Sequence, residues 1–227
     1  MILNLKMLTP PAHEPLTLAQ VKQHCRVTIA DDDSLLSDIY MPAARELCEN
    51  EMKRAIYAQT WQLTLDHFPL YPWWNNTQRS TSIHEAWHYS TFWKAFRIKL
   101  PRPSLVSVSS ISYLDMAGNE QTVNPATYKV DTDGTPGCVV PVYGKSWPYA
   151  DAYLPDSVKI TYVAGSYGDG ATVDTCPKLV KAAVLLLAAH LYENKSATTD
   201  LKLIELPIGV TRLLTPYKVT VMGYEEN

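Results

Sequence analysis

The segment His84-Glu85-Ala86-Trp87-His88 has the spacing of a zinc site, with two histidines one helical turn apart and a glutamate able to act as base. Its surroundings argue against that chemistry. The longer zinc-peptidase pattern continues with glycine at position 91 and histidine at position 94, where this chain has Thr91 and Lys94. Ala86 also stands where a bulky apolar residue normally anchors the motif helix. Glu120 is available as a third ligand, but it follows a turn glycine, Gly118. The choice lies between a metallopeptidase centre at His84, Glu85 and His88 and a surface loop of aromatic and imidazole side chains; the loop is preferred.

Other chemistry-bearing residues point less sharply. Gly165-Ser166-Tyr167-Gly168-Asp169-Gly170 follows a strand, but Ala171-Thr172 comes next, not the Lys-Ser/Thr that ends a phosphate loop, so it reads as a strand-exit turn. His13, His24, His67 and His190 have no serine or cysteine at a nucleophile elbow. Asp31, Asp32 and Asp33 lack the further carboxylates of a calcium loop and read as a helix cap. Trp73, Trp74, Trp87 and Trp93 could stack on sugars or anchor a protein interface. Tryptophan is enriched at interface hot spots, and the chain carries few charges, so the interface is preferred.

Composition limits the classes further. The 227 residues carry a net charge of -3, with 46% hydrophobic and 19% charged residues. That charged share is below the roughly 25% of an average domain, as expected of surface hidden against other subunits. No Lys/Arg stripe is present to neutralise phosphates, so tight nucleic-acid binding is not expected. Cys25, Cys48, Cys138 and Cys176 form no Cys-x-x-Cys pair and are read as free thiols of a cytoplasmically made protein. Met1 to Pro11 lacks the pattern of a signal peptide, and the longest apolar run, Ala182 to Ala189, is too short to span a bilayer.

The elements that must position these residues follow from periodicity. Thr17-Leu18-Ala19-Gln20 is a capping box and predicts a helix to about Val27. Leu36, Ile39, Tyr40, Ala43 and Leu47 form an apolar stripe on a second helix, with Pro42 marking a kink or break. From Trp61 the period becomes two: Trp61, Leu63 and Leu65 alternate with Gln62, Thr64 and Asp66. Further strands are predicted over 96–100, 105–114, 127–130, 138–143 and 158–163, about six in all. Leu179 to Tyr192 is a helix so apolar that it must be buried all round, inside the domain or between subunits. A last short helix is predicted over 210–214, ended by Pro216. The fold class is α+β: a helical domain of about four helices, residues 1–59 and 166–227, with an inserted antiparallel β-rich domain over 60–165 and an aromatic loop at 71–95.

Several fragments, taken in order, resemble the tailed-phage head-tail connector (adaptor, or head-completion) family in its long-insertion branch. They are Leu16-Thr17-Leu18-Ala19-Gln20-Val21-Lys22, Asp32 to Leu36, Trp61-Gln62-Leu63-Thr64-Leu65-Asp66 and Leu100-Pro101-Arg102-Pro103. Ile111-Ser112-Tyr113-Leu114-Asp115, Trp147-Pro148 and Val163-Ala164-Gly165-Ser166-Tyr167-Gly168 follow. Cys176 to Ala183, Leu206-Pro207-Ile208-Gly209-Val210 and Leu213-Leu214-Thr215-Pro216-Tyr217 complete them. The aromatic loop departs from the family pattern, being longer and richer in tryptophan.

The resemblance implies a structural virion protein, without cofactor, metal or catalytic residue. About twelve copies would close into a ring under the portal at the head-tail junction, after assembly in the host cytoplasm. Such a ring extends the DNA channel without sequence-specific binding, offers a platform to a neck, stopper or tail-completion protein, and involves no membrane. Under this reading Asp31, Asp32, Asp33 and Asp38 are assigned to the channel wall, where negative charge repels DNA. The terminal segment, through Pro207, Ile208, Val210, Leu213, Leu214 and Tyr217, is assigned to portal contact, because a chain end can order on a partner at low topological cost. Trp73, Trp74, Trp87 and Trp93 are assigned to a subunit or partner interface.

Overall fold

The computed structural model describes residues 3–69, 96–150, 155–194 and 207–219. The fold is α+β, and the chain forms two compact units: Met1–Thr9 with Thr60–Ala164, and Pro10–Gln59 with Gly165–Asn227. Met1–Thr9 groups here with the β unit, whereas the sequence reading assigns 1–59 to the helical domain. Leu3–Thr9 is strand β1, which pairs antiparallel with β2 (Gln59–Leu65), Leu3 facing Leu65 and Met7 facing Trp61. The alternation of Leu3, Leu5 and Met7 with Asn4 and Lys6 already had strand periodicity.

In the helical unit, α1 (Leu18–Cys25) opens with the expected capping box. Thr17 Oγ1 accepts from the Gln20 amide at 3.3 Å, and Gln20 Oε1 accepts from the Thr17 amide at 2.9 Å. Next, α2 (Asp33–Leu35) passes through a π-helical turn, Leu36–Tyr40, into α3 (Met41–Met52). In the wide turn the Met41 amide reaches back five residues to the Leu36 carbonyl. The turn sits directly before Pro42, which has no amide to donate and whose ring would crowd the carbonyl four residues back in a regular helix.

That extra residue rotates everything after it by about 100°, which corrects the predicted stripe. The buried positions are Leu36, Met41, Ala44, Cys48 and Met52, whereas Ile39 and Leu47 are exposed at 55% and 39%. α4 (Lys178–Glu193) and α5 (Ile208–Leu214) complete the unit, packing Val180, Ala183, Val184, Leu187, Val210 and Leu214 against α3 and α1. Within one chain α4 is not buried all round: Leu179 and Leu186 stay 46% and 43% exposed, which leaves burial between subunits as the open alternative.

Among the described residues the β unit holds eight strands, against about six expected from the sequence; β1 and the three-residue β5 are the additions. Besides β1 and β2 they are β3 (Ile98–Lys99), β4 (Leu105–Leu114), β5 (Glu120–Thr122), β6 (Tyr128–Asp131), β7 (Cys138–Pro141) and β8 (Val158–Ala164). They form a five-stranded sheet in the order β1-β2-β8-β4-β5 and a three-stranded sheet in the order β3-β7-β6. β8 alternates buried and half-buried residues, with Val158, Ile160, Tyr162 and Ala164 inside. An aromatic cluster joins the strands: Phe68 stacks on Trp147 at 5.1 Å and meets Tyr113 of β4 edge-on at 5.8 Å, and Tyr128 of β6 lies 6.4 Å from Trp147. The Trp147 indole donates to the Phe96 carbonyl at 2.9 Å, satisfying the polar end of a buried ring.

The chain leaves the helical unit and returns to it through hydrogen-bonded neighbours. The Ala58 amide donates to the Gly168 carbonyl at 2.9 Å, while the amides of Ser166 and Tyr167 donate to the Ile56 carbonyl at 3.1 and 3.0 Å. Gly165 is required at this crossing: a Cβ there would sit 2.6 Å from the Ala58 nitrogen, inside backbone that cannot yield.

Beside this crossing lies a buried charge network that periodicity did not reveal. Arg45 is 2% exposed. Its Nε donates to both Glu14 oxygens at 3.1 and 3.0 Å, and its Nη1 donates to Glu49 Oε2 at 2.8 Å. Glu49 Oε1 in turn accepts from the Ile56 amide at 2.8 Å and from the Gln59 side chain at 2.5 Å. Burial works against the guanidinium charge, but Glu49, Glu14 and Glu46 outweigh it and hold Arg45 above its ordinary value. Burial also pushes the Glu14 carboxyl up, against the opposing pull of Arg45.

Removing one partner of a buried pair strands the others without water. Arg45→Ala should therefore lower the stability of the helical unit by about 3–5 kcal/mol, read by chemical denaturation followed by helical circular dichroism. Glu46→Ala, which removes only a 51% exposed partner 3.5 Å away, should shift it by less than about 0.5 kcal/mol.

Candidate functional site

Among the described residues no group of three His, Cys, Asp or Glu side chains is placed to hold a metal ion, and no helix is long and apolar enough to cross a membrane. His84, Glu85 and His88, together with Trp73, Trp74, Trp87 and Trp93, lie outside the described residues. Cys48 and Cys176 are buried thiols pushed up to about 12, chiefly by burial, so neither is a ready nucleophile. The sequence-assigned residues that are described fall on surfaces of the helical unit.

The first surface is the outer strip of α4. Its core face carries Val180, Val184, Leu187 and Ala188, and the opposite strip carries Leu179, Ala182 and Leu186 at three- and four-residue steps. Two leucines kept in water on one helix face cost free energy unless a partner covers them. The sequence pointed to this helix by its excess of apolar residues; which of them remain outside is settled by packing.

The second is the acidic segment before α2. The four aspartates do not act as one group. Asp33 receives the Lys22 ammonium at 2.5 Å, and the same nitrogen also donates to the Ile29 carbonyl at 2.8 Å. Asp32 occupies the cap position without a side-chain cap bond; its carboxylate accepts from the Tyr192 hydroxyl at 2.6 Å. That bond, with burial next, pushes the Tyr192 hydroxyl up to about 12. Tyr192 also meets Tyr40 edge-on at 6.0 Å, locking α4 to the π turn. Asp31 and Asp38 are exposed, Asp38 taking a hydrogen bond from the Ser37 hydroxyl at 2.6 Å. Only these two carry open negative charge.

The third is the α5 segment, which splits in the same way. Val210 and Leu214 are buried in the core, and Leu213 and Tyr217 pack partly against it. Pro207 is half-buried, and Ile208 is 72% exposed, so of the six residues assigned to portal contact Ile208 has the most surface to give. The Val219 amide donates to the Met52 carbonyl at 3.0 Å, fastening the segment to the end of α3.

The glycine-rich segment is a turn closed by its own aspartate. Gly168 and Gly170 have φ of +90° and +79°, and Asp169 Oδ1 accepts from the amides of Ala171, Thr172 and Val173 at 2.9–3.0 Å. The Thr172 hydroxyl first, and then the same amides, hold the Asp169 carboxyl well below its ordinary range. Just beyond the turn, Asp174 accepts from Lys181, from the Tyr57 hydroxyl at 2.8 Å and from the Cys176 amide at 3.1 Å, so its carboxyl is also held low, the Lys181 bond leading. These donors anchor the start of α4, and with it Leu179.

The architecture is shared with solved particle structures. Chains covering 97% of this protein and 98% of their own length occur in the "Virion of native gene transfer agent (GTA) particle", at a TM-score of 0.66 and 20% identity. The "Neck of empty GTA particle computed with C6 symmetry" matches at 0.65 and 21%, over 99% of both chains. The "Neck of native GTA particle computed with C12 symmetry" matches at 0.65 and 20%, again over 99% of both. At this identity the likeness establishes the fold. No family model matches the sequence, and no curated protein matches it.

The Asp174 geometry carries a pH dependence of definite sign. A carboxyl depressed in the folded state contributes stability that is complete above its unfolded value, near 3.9, and is lost as pH falls through the lower folded value. The wild-type helical unit should therefore lose thermal stability below about pH 4. Asp174→Asn should flatten that part of the profile, and Lys181→Met should move the Asp174 titration, followed by NMR, back towards 3.9.

Proposed function

We propose that this protein is a structural component of the neck of a tailed, phage-like particle. In this reading it is a connector whose copies form a ring of about twelve beneath the portal, continue the DNA channel and present a seat for the next neck or tail protein. One observation carries the proposal: the likeness runs over essentially the whole of this chain and the whole of chains found in particle necks, helical unit and inserted sheets together. A shared core alone would not match both lengths end to end.

The surfaces agree with that role. A ring subunit needs apolar area for its neighbours, and the Leu179-Ala182-Leu186 strip supplies it on a rigid helix. A channel wall needs negative charge without basic grip; Asp31 and Asp38 provide exposed charge, whereas Asp32 and Asp33 are bound within the subunit. A portal contact near the chain end is assigned to Ile208 and its exposed neighbours. The mechanism is geometric: ring closure and a symmetry match to the portal, with no bond made or broken.

The test is to mix the purified protein with portal complexes of its own particle and image them by electron microscopy. A ring of this protein on the portal is expected. Absence of any such ring, or peptide hydrolysis with stoichiometric zinc lost in His84→Ala, refutes the proposal. Leu179→Glu/Leu186→Glu should retain the helical circular dichroism of the wild type yet fail to form rings.

A further inference from the structure

The five-stranded sheet has two ends, and among the described residues both are open. At one end β1, seven residues long, pairs among the described residues only with β2. At the other, β5 covers only the last three residues of β4, Ser112, Tyr113 and Leu114, with one further bond from the Val123 amide to the Ile111 carbonyl. Leu105 to Ser110 of β4 pair with β8 on one side and, among the described residues, with nothing on the other. The side chains along these edges are largely in water: Asn4, Lys6 and Leu8 of β1, and Val106, Ser107 and Ser109 of β4, are exposed.

An open edge is a row of backbone donors and acceptors able to take another strand, and proteins usually guard it with charge, proline or shortness. These edges are lightly guarded. β1 has one charge, Lys6, and no proline before Pro10; Leu105-Val106-Ser107-Val108-Ser109-Ser110 has neither. Their lengths match, seven residues against six.

The occupant follows from how each edge could pair. Two copies of β1 placed antiparallel over their full length set Lys6 opposite Lys6, a like-charge pair that sheets avoid. Two copies of the β4 edge would set bulge against bulge, since the register shifts between Leu105 and Ser107 and again between Val108 and Ser110. Pairing β1 with β4 avoids the Lys6 clash and sets against the two β4 shifts a strand with a single shift near its end, between Met7 and Thr9. It is also head-to-tail, and a head-to-tail contact is the kind that closes a ring.

We propose that neighbouring copies in the ring join by strand addition, the open edge of β1 in one copy receiving the Leu105 to Ser110 stretch of β4 in the next. The inference rests on the ring proposed above and names the backbone contact that builds it. The sheet then runs on from copy to copy. Because the incoming β1 shares the row of β5, the repeat is the four strands β1, β2, β8 and β4. At about 4.8 Å per strand they advance about 19 Å per copy, so twelve copies trace a circle of about 37 Å radius, wide enough to enclose a lumen.

The test uses engineered cysteines at exposed edge positions, in a Cys25→Ser background and on rings assembled with portal. Asn4→Cys or Lys6→Cys is combined with Ser107→Cys or Ser109→Cys, and mild oxidation is followed by denaturing electrophoresis. At least one double variant should give a ladder of covalent multimers reaching the full ring, while each single variant stays monomeric. Amide exchange should slow at least tenfold on assembly in both Leu3–Thr9 and Leu105 to Ser110. Rings visible by microscopy with no ladder from any pair, or with only one edge protected, overturn strand addition and leave the ring standing. Covalent dimers from Asn4→Cys or Lys6→Cys alone would show β1 pairing with itself and overturn it too. Failure to assemble under any condition overturns the ring and this contact together.

Discussion

The buried guanidinium of Arg45 ties together the parts of the helical unit that are far apart in sequence. Through Glu14 it fixes the segment entering α1, and through Glu49 it stiffens α3. Glu49 carries the network on to the Ile56 amide and to Gln59, where the chain begins β2. A network of this kind contributes more to geometry than to net stability, because desolvation offsets much of the attraction. Its geometry matters here, since Ile56, whose amide Glu49 holds, receives the returning chain at Ser166 and Tyr167 through its carbonyl.

The insertion can therefore be large without loosening its host. The outgoing and returning strands are hydrogen-bonded to each other, and Gly165 lets them approach to a distance no other residue tolerates. To the helical unit, an insertion of more than a hundred residues, Thr60–Ala164, replaces what could have been a short turn. Loop-closure cost rises only slowly with loop length, and here the neck of the loop is already pinned. Such a unit can offer rigid helix surfaces to neighbours while its sheet serves a separate contact.

In the proposed ring the helix surfaces and the sheet edges would divide the work of assembly by chemistry. The α4 strip gives apolar area, which drives association without direction. An open strand edge gives directed backbone hydrogen bonds, which set register and angle. A ring needs both, because closure depends on a rotation that apolar contact alone does not specify.

Much of this was legible in the residues. The capping box at Thr17, the strand β4 from Leu105 to Leu114, the turn at Gly118 and the apolar helix after Pro177 all follow from local patterns, because caps, period-two alternation and turn glycines act over a few residues. The resemblance of scattered fragments to connector proteins also pointed to the fold that the neck chains share. Tertiary structure decided the rest. Leu47 is outside and Met41 inside because one wide turn at Leu36–Tyr40 shifts the helix phase, and no single-period reading of the sequence contains that shift. Arg45 and Glu49 are buried because Glu14, Ile56 and Gln59 converge on them from other segments, and charge in a sequence ordinarily signals water. Val210 and Leu214 are taken by the core while Ile208 stays outside, since the rotation of a seven-residue helix is set by what it packs against. Local pattern determined the elements; which face each one leaves free was fixed only by their mutual packing.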